Sequence, residues 1–152
     1  MELINKFISN FTGENFGPII KLRKEYYLVN ENLVMLMEEI KNTDNEPKHI
    51  GVFLGTINNK LFEPSIELLK IISQFSEKKV YVNDKAEWLF LCGRDIFGNS
   101  ITKANAVNGL VLIQNKKDEN LGFGKIIAPL ENKNKVVIKN ILDRGAYLRM
   151  ER

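Results

Sequence analysis

The sequence KVYVNDKAEWLFLCG, residues 79–93, combines a strand pattern with a helix pattern. Valines at alternate positions of Lys79–Val82 predict a strand with one buried face. Asp84 and Glu87 have the spacing of a capping box, in which two side chains satisfy free backbone N–H groups at a helix start. The glycine that closes the stretch is typical of a helix end. We therefore expect a strand followed at once by a short helix over Lys85–Cys92.

Downstream of this stretch, the chain is dominated by short strands separated by polar turns. The predicted strands are Gly109–Gln114, Leu121–Ala128, Lys135–Lys139 and Tyr147–Met150. About five strands and one helix between residues 78 and 152 are typical of a small barrel. Glycines interrupt the second of these strands at LGFGK, which predicts a bulge or the close approach of another backbone.

Residues 1–77 show a mixed α/β pattern, and the boundary to the barrel is predicted near Glu77–Lys79. Apolar residues with helical spacing begin this half, and β-branched and aromatic runs follow. The predicted elements are a helix over Leu3–Phe11, strands Pro18–Leu22 and Tyr26–Val29, a helix after Asn30 or Asn32, strands His49–Ile57 and Leu61–Phe62, and a helix with Pro64 in its first turn.

Composition excludes several classes of protein. Of 152 residues, 44% are apolar or aromatic and 27% are charged, which does not fit intrinsic disorder. No apolar run is longer than the five residues of Trp88–Cys92, which is far shorter than a membrane span. The first residues lack the pattern of a secretory signal, and a single cysteine fits a reducing compartment, so we expect a cytoplasmic protein without a membrane partner.

The formal net charge of +3 is unevenly distributed. Residues 1–79 carry 10 basic and 11 acidic side chains, whereas residues 80–152 carry 12 basic and 8 acidic ones. The positive excess therefore lies entirely in the second half, which suggests an anionic partner there. Chance variation in a lysine-rich composition is an equally good explanation of the charge alone.

Catalytic and cofactor motifs are missing from the sequence. One histidine, His49, and one cysteine, Cys92, lie far apart, so no zinc-binding cluster is expected. There is no nucleophile elbow, no phosphate-binding loop and no complete dinucleotide fingerprint. We expect Cys92 to be buried, His49 to be a surface residue, and the protein to be no enzyme and to need neither cofactor nor metal. Five aromatic residues of the second half are expected in the core: Tyr81, Trp88, Phe90, Phe123 and Tyr147.

Three segments of the second half together resemble a PUA domain, the small pseudo-barrel of several RNA-modifying enzymes. The similarity is closest to two-domain ribosome-biogenesis factors of archaeal type, in which a pre-PUA domain precedes the PUA domain. The matching residues are Lys79, Val80, Val82, Ala86, Glu87, Phe90, Leu91 and Gly93, then Leu121 to Gly124, then Asp143, Gly145, Tyr147 and Arg149.

This resemblance implies an α+β chain with a pre-PUA α/β domain at 1–77 and a PUA pseudo-β-barrel at 78–152. It further implies a non-catalytic factor that binds rRNA or pre-rRNA during large-subunit biogenesis and rRNA processing, together with ribosome-assembly or RNA-processing proteins. Basic side chains would contact phosphates. The candidate RNA-binding residues are Arg149, Arg152, Arg144, Lys139, Lys125 and Arg94.

Two other functions remain open from the sequence. The chain could be an RNA-binding accessory module of a separate RNA-modification enzyme, or a protein-interaction adaptor. The predicted strand Tyr147–Met150 also raises a geometric question. If this strand continued to the end of the chain, alternation would direct Arg149 and Arg152 to opposite faces.

Overall fold

The computed structural model of the chain describes residues 2–30 and 51–150, with backbone only at residues 147, 148 and 150. It divides into two compact units. The first comprises Met1–Ser9 and Gly13–Leu68, and the second comprises Asn10–Thr12 and Leu69–Arg152. The predicted helix after Asn30 or Asn32 and the predicted surface residue His49 lie outside the described residues. The predicted domain boundary at residue 77 stays a prediction.

The first unit consists of a helix and an antiparallel sheet. Helix α1 (Glu2–Ser9) buries Ile4 and Ile8 on one face, as its helical spacing predicts. The four strands lie in the order β1-β2-β3-β4. Their bounds are Ile19–Leu22, Glu25–Leu28, Val52–Asn58 and Leu61–Pro64.

Helix α2 (Ile66–Phe75) begins later than the sequence predicts. Pro64 ends strand β4 instead of occupying the first helical turn, so that prediction was wrong. The hydroxyl of Ser65 accepts a hydrogen bond from the Leu68 N–H at 3.0 Å and donates one to the Phe53 carbonyl at 2.7 Å. A serine side chain bonded to the third residue after it is a typical N-cap, and it fixes the helix start at Ile66, two residues beyond the proline.

The second unit is a six-stranded, curled sheet with strand order β6-β10-β9-β8-β5-β7. All neighbours are antiparallel except β5 and β8. The bounds are β5 Lys79–Val82, β6 Ile96–Phe97, β7 Ile101–Ala104, β8 Gly109–Gln114, β9 Asn120–Ile126 and β10 Val136–Asp143. Helix α3 (Asp84–Leu91) follows β5, and a 3₁₀ turn (Gly98–Ser100) joins β6 to β7.

The core of this unit lies between the curled sheet and helix α3. Valines of β5 and the buried Phe90 of α3 pack against residues from β8, β9 and β10. This arrangement confirms the predicted α+β class with a C-terminal pseudo-barrel. Asn83, not Asp84, caps α3, because its side chain accepts the Ala86 N–H at 2.9 Å. The helix therefore starts one residue earlier than expected.

Two further differences concern short elements. Strands β6 and β7 flank the 3₁₀ turn where the sequence predicts no strand. The predicted strand Tyr147–Met150 was wrong, because residues Gly145–Met150 form a helix, α4. Apolar residues in a segment of this length satisfy both the strand period and the helix period, so the pattern could not distinguish them.

Candidate nucleic-acid interface

Lys125 of β9 and Lys139 of β10 lie directly opposite each other on neighbouring strands. They are register partners in the antiparallel pair, and both side chains are exposed. Directly opposed residues have Cβ atoms about 5 Å apart, so two ammonium groups at such positions repel each other. Within the described part of the chain, neither lysine forms an ion pair. This lysine pair is therefore a local concentration of positive charge that nothing described neutralises.

The glycines of the LGFGK segment allow β10 to come close to β9 beside the lysine pair. A Cβ atom on Gly124 would lie 2.6 Å from the Lys139 carbonyl oxygen. Gly122 has a φ of +144°, and a Cβ there would overlap the Leu142 carbonyl oxygen. Against β8, β9 itself carries one extra residue, Leu121, where the register shifts between Ile113 and Gln114. The predicted bulge and close backbone approach are both confirmed.

Asn140, the residue after Lys139, forms hydrogen bonds with the end of helix α3 and the loop that follows it. Its amide group donates hydrogen bonds to the carbonyl oxygens of Phe90 at 3.0 Å and Arg94 at 3.3 Å. Its backbone N–H donates to the Asp95 carboxylate at 2.8 Å. These contacts hold the loop that carries Arg94 against β10, and the Arg94 side chain is exposed.

The guanidinium of Arg149 occupies a socket formed by Leu91, Gly93, Asp143 and Gly145. Nη1 donates to the Leu91 carbonyl at 2.6 Å, and Nη2 donates to the buried carboxylate of Asp143 at 3.0 Å. Cβ atoms on Gly93 and Gly145 would lie 3.2 Å and 3.0 Å from the guanidinium nitrogens. All five residues of this socket belong to the motifs that resemble a PUA domain. They are Leu91, Gly93, Asp143, Gly145 and Arg149, and they come into contact in the Arg149 socket.

Of the remaining candidates, Arg144 is exposed and follows directly after Asp143. Its backbone N–H bonds to the Leu121 carbonyl, and its Nη1 lies 3.5 Å from the Asn120 carbonyl. Arg152 lies outside the described residues. Arg149 lies in helix α4 and not in a strand. The strand alternation that would direct Arg149 and Arg152 to opposite faces therefore does not apply. We call Arg94, Lys125, Lys139, Arg144 and Arg149 the basic cluster.

A third lysine on the same side of the sheet, Lys79, is neutralised. Its Nζ lies 3.2 Å from the Asp118 carboxylate. Burial raises the pKa of Asp118, but hydrogen bonds from Gln114, Tyr81 and Lys79 outweigh that effect, and the pKa is lowered from its ordinary value. Burial and the hydrogen bond to Asp118 raise the pKa of Tyr81 to about 12. Lys79, unlike the lysine pair, therefore has a carboxylate partner.

Two expectations about helix α3 were wrong. Trp88 is 66% exposed instead of buried in the core, and Cys92 is exposed as well. A signal was present in the sequence, because both residues share a helix face with the polar Asp84. Phe90 and Phe123 are buried as predicted, Tyr81 is half-buried, and the Tyr147 side chain is not described.

The described residues contain no group of three or more His, Cys, Asp or Glu side chains placed to hold a metal ion. Within the same residues, no helix is long and apolar enough to cross a membrane. The chemistry that the basic cluster offers is that of ammonium and guanidinium groups, which bind phosphate.

The second unit of the chain is similar in sequence to a known protein family. Residues 78–152 match the family model described as UPF0113 PUA domain. A UPF0113 protein of Archaeoglobus fulgidus is 34% identical over 165 residues, covering 100% of this chain and 91% of the relative. A UPF0113 protein of Aeropyrum pernix is 29% identical over 102 residues, covering 65% of this chain and 56% of that protein.

Two solved structures share the fold over nearly the full length. A conserved PUA domain protein from Thermoplasma acidophilum has a TM-score of 0.62 at 15% identity, covering 99% of this chain and 92% of its own. A hypothetical protein of Pyrococcus horikoshii has a TM-score of 0.56 at 13% identity, with 99% and 93% covered. At these identities the likeness concerns the fold alone.

Proposed function

Because the chain belongs to the UPF0113 protein family and carries a PUA domain at residues 78–152, we propose that it is a non-catalytic RNA-binding factor. The RNA is rRNA or pre-rRNA, and the process is assembly of the large ribosomal subunit in the cytoplasm. The observation that supports RNA binding best is the lysine pair, two exposed cations held face to face.

The opposed charges of the lysine pair favour the binding of an anion. Opposed like charges on a sheet cost stability, so a fold that keeps them exposed benefits from an anion that bridges them. An RNA backbone supplies such anions at regular intervals, and each phosphate contact releases condensed counterions. Arg94, whose carbonyl accepts a bond from Asn140, and Arg144, which follows Asp143, have exposed side chains that add positive charge to the same unit.

The class of RNA follows from the type of side chain. Lysine and arginine side chains on a rigid sheet read backbone geometry more readily than base identity. We therefore propose recognition of a structured segment by shape, with phosphates as the contacted groups. The role in ribosome assembly, and the accompanying assembly or processing proteins, rest on the resemblance of the motifs to two-domain biogenesis factors.

The first experiment measures binding of the full chain to a stem-loop fragment of large-subunit rRNA at several salt concentrations. The double variant Lys125→Glu/Lys139→Glu should bind on the order of tenfold more weakly or worse. The slope of log affinity against log salt should become shallower by about 2, because two phosphate contacts are lost.

The matched control is Lys60→Glu/Lys117→Glu, which makes the same change of charge at two exposed turn positions outside the basic cluster. This control should lose affinity only through its net charge and keep more of the salt slope. Equal losses in the two double variants would contradict the assignment of the lysine pair as the RNA contact.

A second experiment tests the biological role. Crosslinking in cells, followed by sequencing of the bound RNA, should yield a defined segment of large-subunit rRNA. Crosslinks to substrates of a modification enzyme, with the chain recovered alongside that enzyme, would contradict the assembly role. Turnover of RNA or nucleotide by the pure protein would contradict the non-catalytic assignment.

A further inference from the structure

The sheet of the first unit has two hairpin turns at the same end. Residues 23–24 join β1 to β2, and residues 59–60 join β3 to β4. Because β3 runs antiparallel to β2, it ends beside the residues where β2 starts. The Ile57 N–H donates a hydrogen bond to the Lys24 carbonyl at 2.8 Å, and the Thr56 hydroxyl donates one to the same oxygen at 3.1 Å. The first turn is therefore held against β3, just before the second turn begins.

Three of the four turn residues are cations, and we call Arg23, Lys24 and Lys60 the turn cations. All three side chains are exposed, and none of them forms an ion pair or a hydrogen bond with a described residue. Neighbouring strands lie about 4.8 Å apart and a strand rises about 3.4 Å per residue, so the Cα atoms of Lys24 and Lys60 lie on the order of 10 Å apart. That separation is close to the Debye length at physiological salt, so the turn cations attract an anionic partner jointly.

The two carboxylates in the neighbouring row of the sheet have other partners. Glu25 and Glu63 are both in register with Thr56. Glu25 accepts a hydrogen bond from the Tyr27 hydroxyl, and Glu63 accepts one from the Asn58 amide group at 3.4 Å. In the described part of the chain, neither carboxylate forms an ion pair with a turn cation. The positive charge of the two turns is therefore available to a ligand.

The backbone of the two turns is unfavourable for the cations that occupy it. The angle φ is +58° at Arg23, +51° at Asn59 and +65° at Lys60, which is the left-handed region. Two-residue hairpin turns with this backbone prefer sequences such as Asn-Gly, because glycine has no Cβ atom to clash. Here lysine follows asparagine in place of glycine. Strained residues cluster at ligand-binding sites, so cations kept at these positions point to a binding role.

The chemistry of the turns favours RNA over protein as the partner. A protein interface needs an apolar centre, but Leu61 is the only exposed apolar side chain among residues 22–25 and 57–62. An RNA backbone requires only cations that reach its phosphates. Turns that project from the end of a sheet can approach the wide minor groove of an RNA helix and the phosphates on its edges.

We propose that the turn cations are a second phosphate-binding contact, with which the first unit binds the same RNA as the lysine pair. This inference rests on the proposed function, because it takes RNA as the ligand. Two contacts on one chain act on a shared ligand at a high effective concentration. The turn cations therefore add affinity only for an RNA that is long enough to reach them as well.

The test compares two rRNA fragments on the full chain. The first is the stem-loop that tests the lysine pair, chosen too short to reach beyond the second unit. The second is the same stem-loop extended by a further helix. Because the short fragment does not reach the first unit, Lys60 remains a control position for the lysine pair.

The variant Arg23→Gly/Lys60→Gly removes two cations and gives both left-handed positions the residue that they favour. It should bind the extended RNA about tenfold more weakly, with a salt slope that is shallower by about 2. It should bind the short stem-loop almost like the unchanged chain. The midpoint of urea unfolding should stay the same or rise, which separates loss of binding from loss of the fold.

The matched control is Asn59→Gly. This change relaxes the third left-handed position of the same turns without changing the charge. Its affinity for both RNA fragments should equal that of the unchanged chain. An equal loss of affinity in Asn59→Gly and in the double glycine variant would overturn the proposal, because the turn backbone and not its charge would then be responsible.

Two further results would overturn the proposal, and they can be told apart from a failure of the proposed function. One is an unchanged affinity and salt slope of the double glycine variant on the extended RNA. The other is binding of a glutamate-rich peptide that this variant loses while its RNA affinity is unchanged, which would make the partner an acidic protein. In both cases the lysine pair would still bind the short stem-loop. Failure of the unchanged chain to bind either RNA would overturn the proposed function itself.

Discussion

The lysine pair and the Arg149 socket present positive charge in opposite ways. In the socket, a carbonyl oxygen and a buried carboxylate accept hydrogen bonds from one guanidinium. In the pair, two exposed lysines are register partners, and no described residue forms an ion pair with either of them. Charge that is already bonded stabilises the fold, whereas unbonded charge remains available for a ligand.

This difference changes the order of the candidates. The sequence gives Arg149 and Arg152 as the first candidates for phosphate contact, ahead of the two lysines. The structure shows that its guanidinium links helix α4 to Asp143 and to the end of α3. A phosphate contact by Arg149 stays a prediction. The lysine pair now has the stronger physical case, since its charges have nothing described to bond with.

The largest expected effect comes from filling the Arg149 socket. In Gly145→Ala, the added Cβ would overlap the Leu91 carbonyl and lie 3.0 Å from the guanidinium. Backbone must move to relieve this overlap, and we expect the free energy of unfolding to fall by about 3 kcal/mol. Urea unfolding measures this change. Gly13→Ala is the control, because nothing lies within 4 Å of its Cβ position; a similar loss there would show that the socket is not special.

Removing the cation from the socket should have the next largest effect. Arg149→Met leaves the buried Asp143 carboxylate without its ion-pair partner, so we expect a loss of about 2 kcal/mol in unfolding free energy. RNA affinity should change less than in the double lysine variant. Arg94→Met should leave stability unchanged, since Arg94 is exposed. If Arg149→Met instead abolished RNA binding while stability stayed constant, the roles assigned to the two sites would be exchanged.

The difference between the two sites could be predicted only in part. Candidate residues at both sites were identified from residue type and motif, and most strands of the sheet followed from their apolar patterns. The opposition of Lys125 and Lys139 could not be predicted, because it depends on the register of two strands and on a bulge after Asn140. Strand register is a long-range property that single-strand patterns do not determine.

Other features were missed for local reasons. Strand β6 spans two residues, too few for any period to be visible. Helix α4 contains glycine and a mixed apolar sequence that also fits a strand. Asn140 carries no motif, and its importance comes from bonds to residues about 50 positions earlier in the chain. The sequence shows which residues these are, but it does not show which distant residues they contact.

A smaller effect is expected at Lys79, the lysine that has a carboxylate partner. Asp118→Asn removes the ion pair with Lys79, and we expect a loss of about 1 kcal/mol at neutral pH. Because the folded-state pKa of Asp118 lies below its ordinary value of 3.8, its contribution is fully present above that pH. It is lost as the pH falls through the folded-state pKa. Unfolding measured between pH 2 and about 6 should therefore show a weaker acid dependence in the variant.

The control for this prediction is Asp84→Asn, which breaks the exposed ion pair with Lys116. Both side chains of that pair are mostly exposed, so solvent screens it and stability should hardly change. An equal loss in the two aspartate variants would mean that the partial burial of Lys79 contributes nothing. The distinction between bonded and unbonded lysines would then be weaker than the geometry indicates.

The smallest expected effect on stability has the opposite sign. Lys139→Glu places a carboxylate opposite Lys125, so repulsion becomes attraction and the free energy of unfolding should rise by about 0.5 kcal/mol. Salt should reduce this gain, because both side chains are exposed and their interaction is screened. The same variant should bind the rRNA stem-loop more weakly, since one phosphate-binding charge is reversed. Lys117→Glu, in the turn before β9, should show no gain. If Lys139→Glu lost stability and kept its RNA affinity, the two lysines would be supporting the sheet instead of holding a site open for an anion.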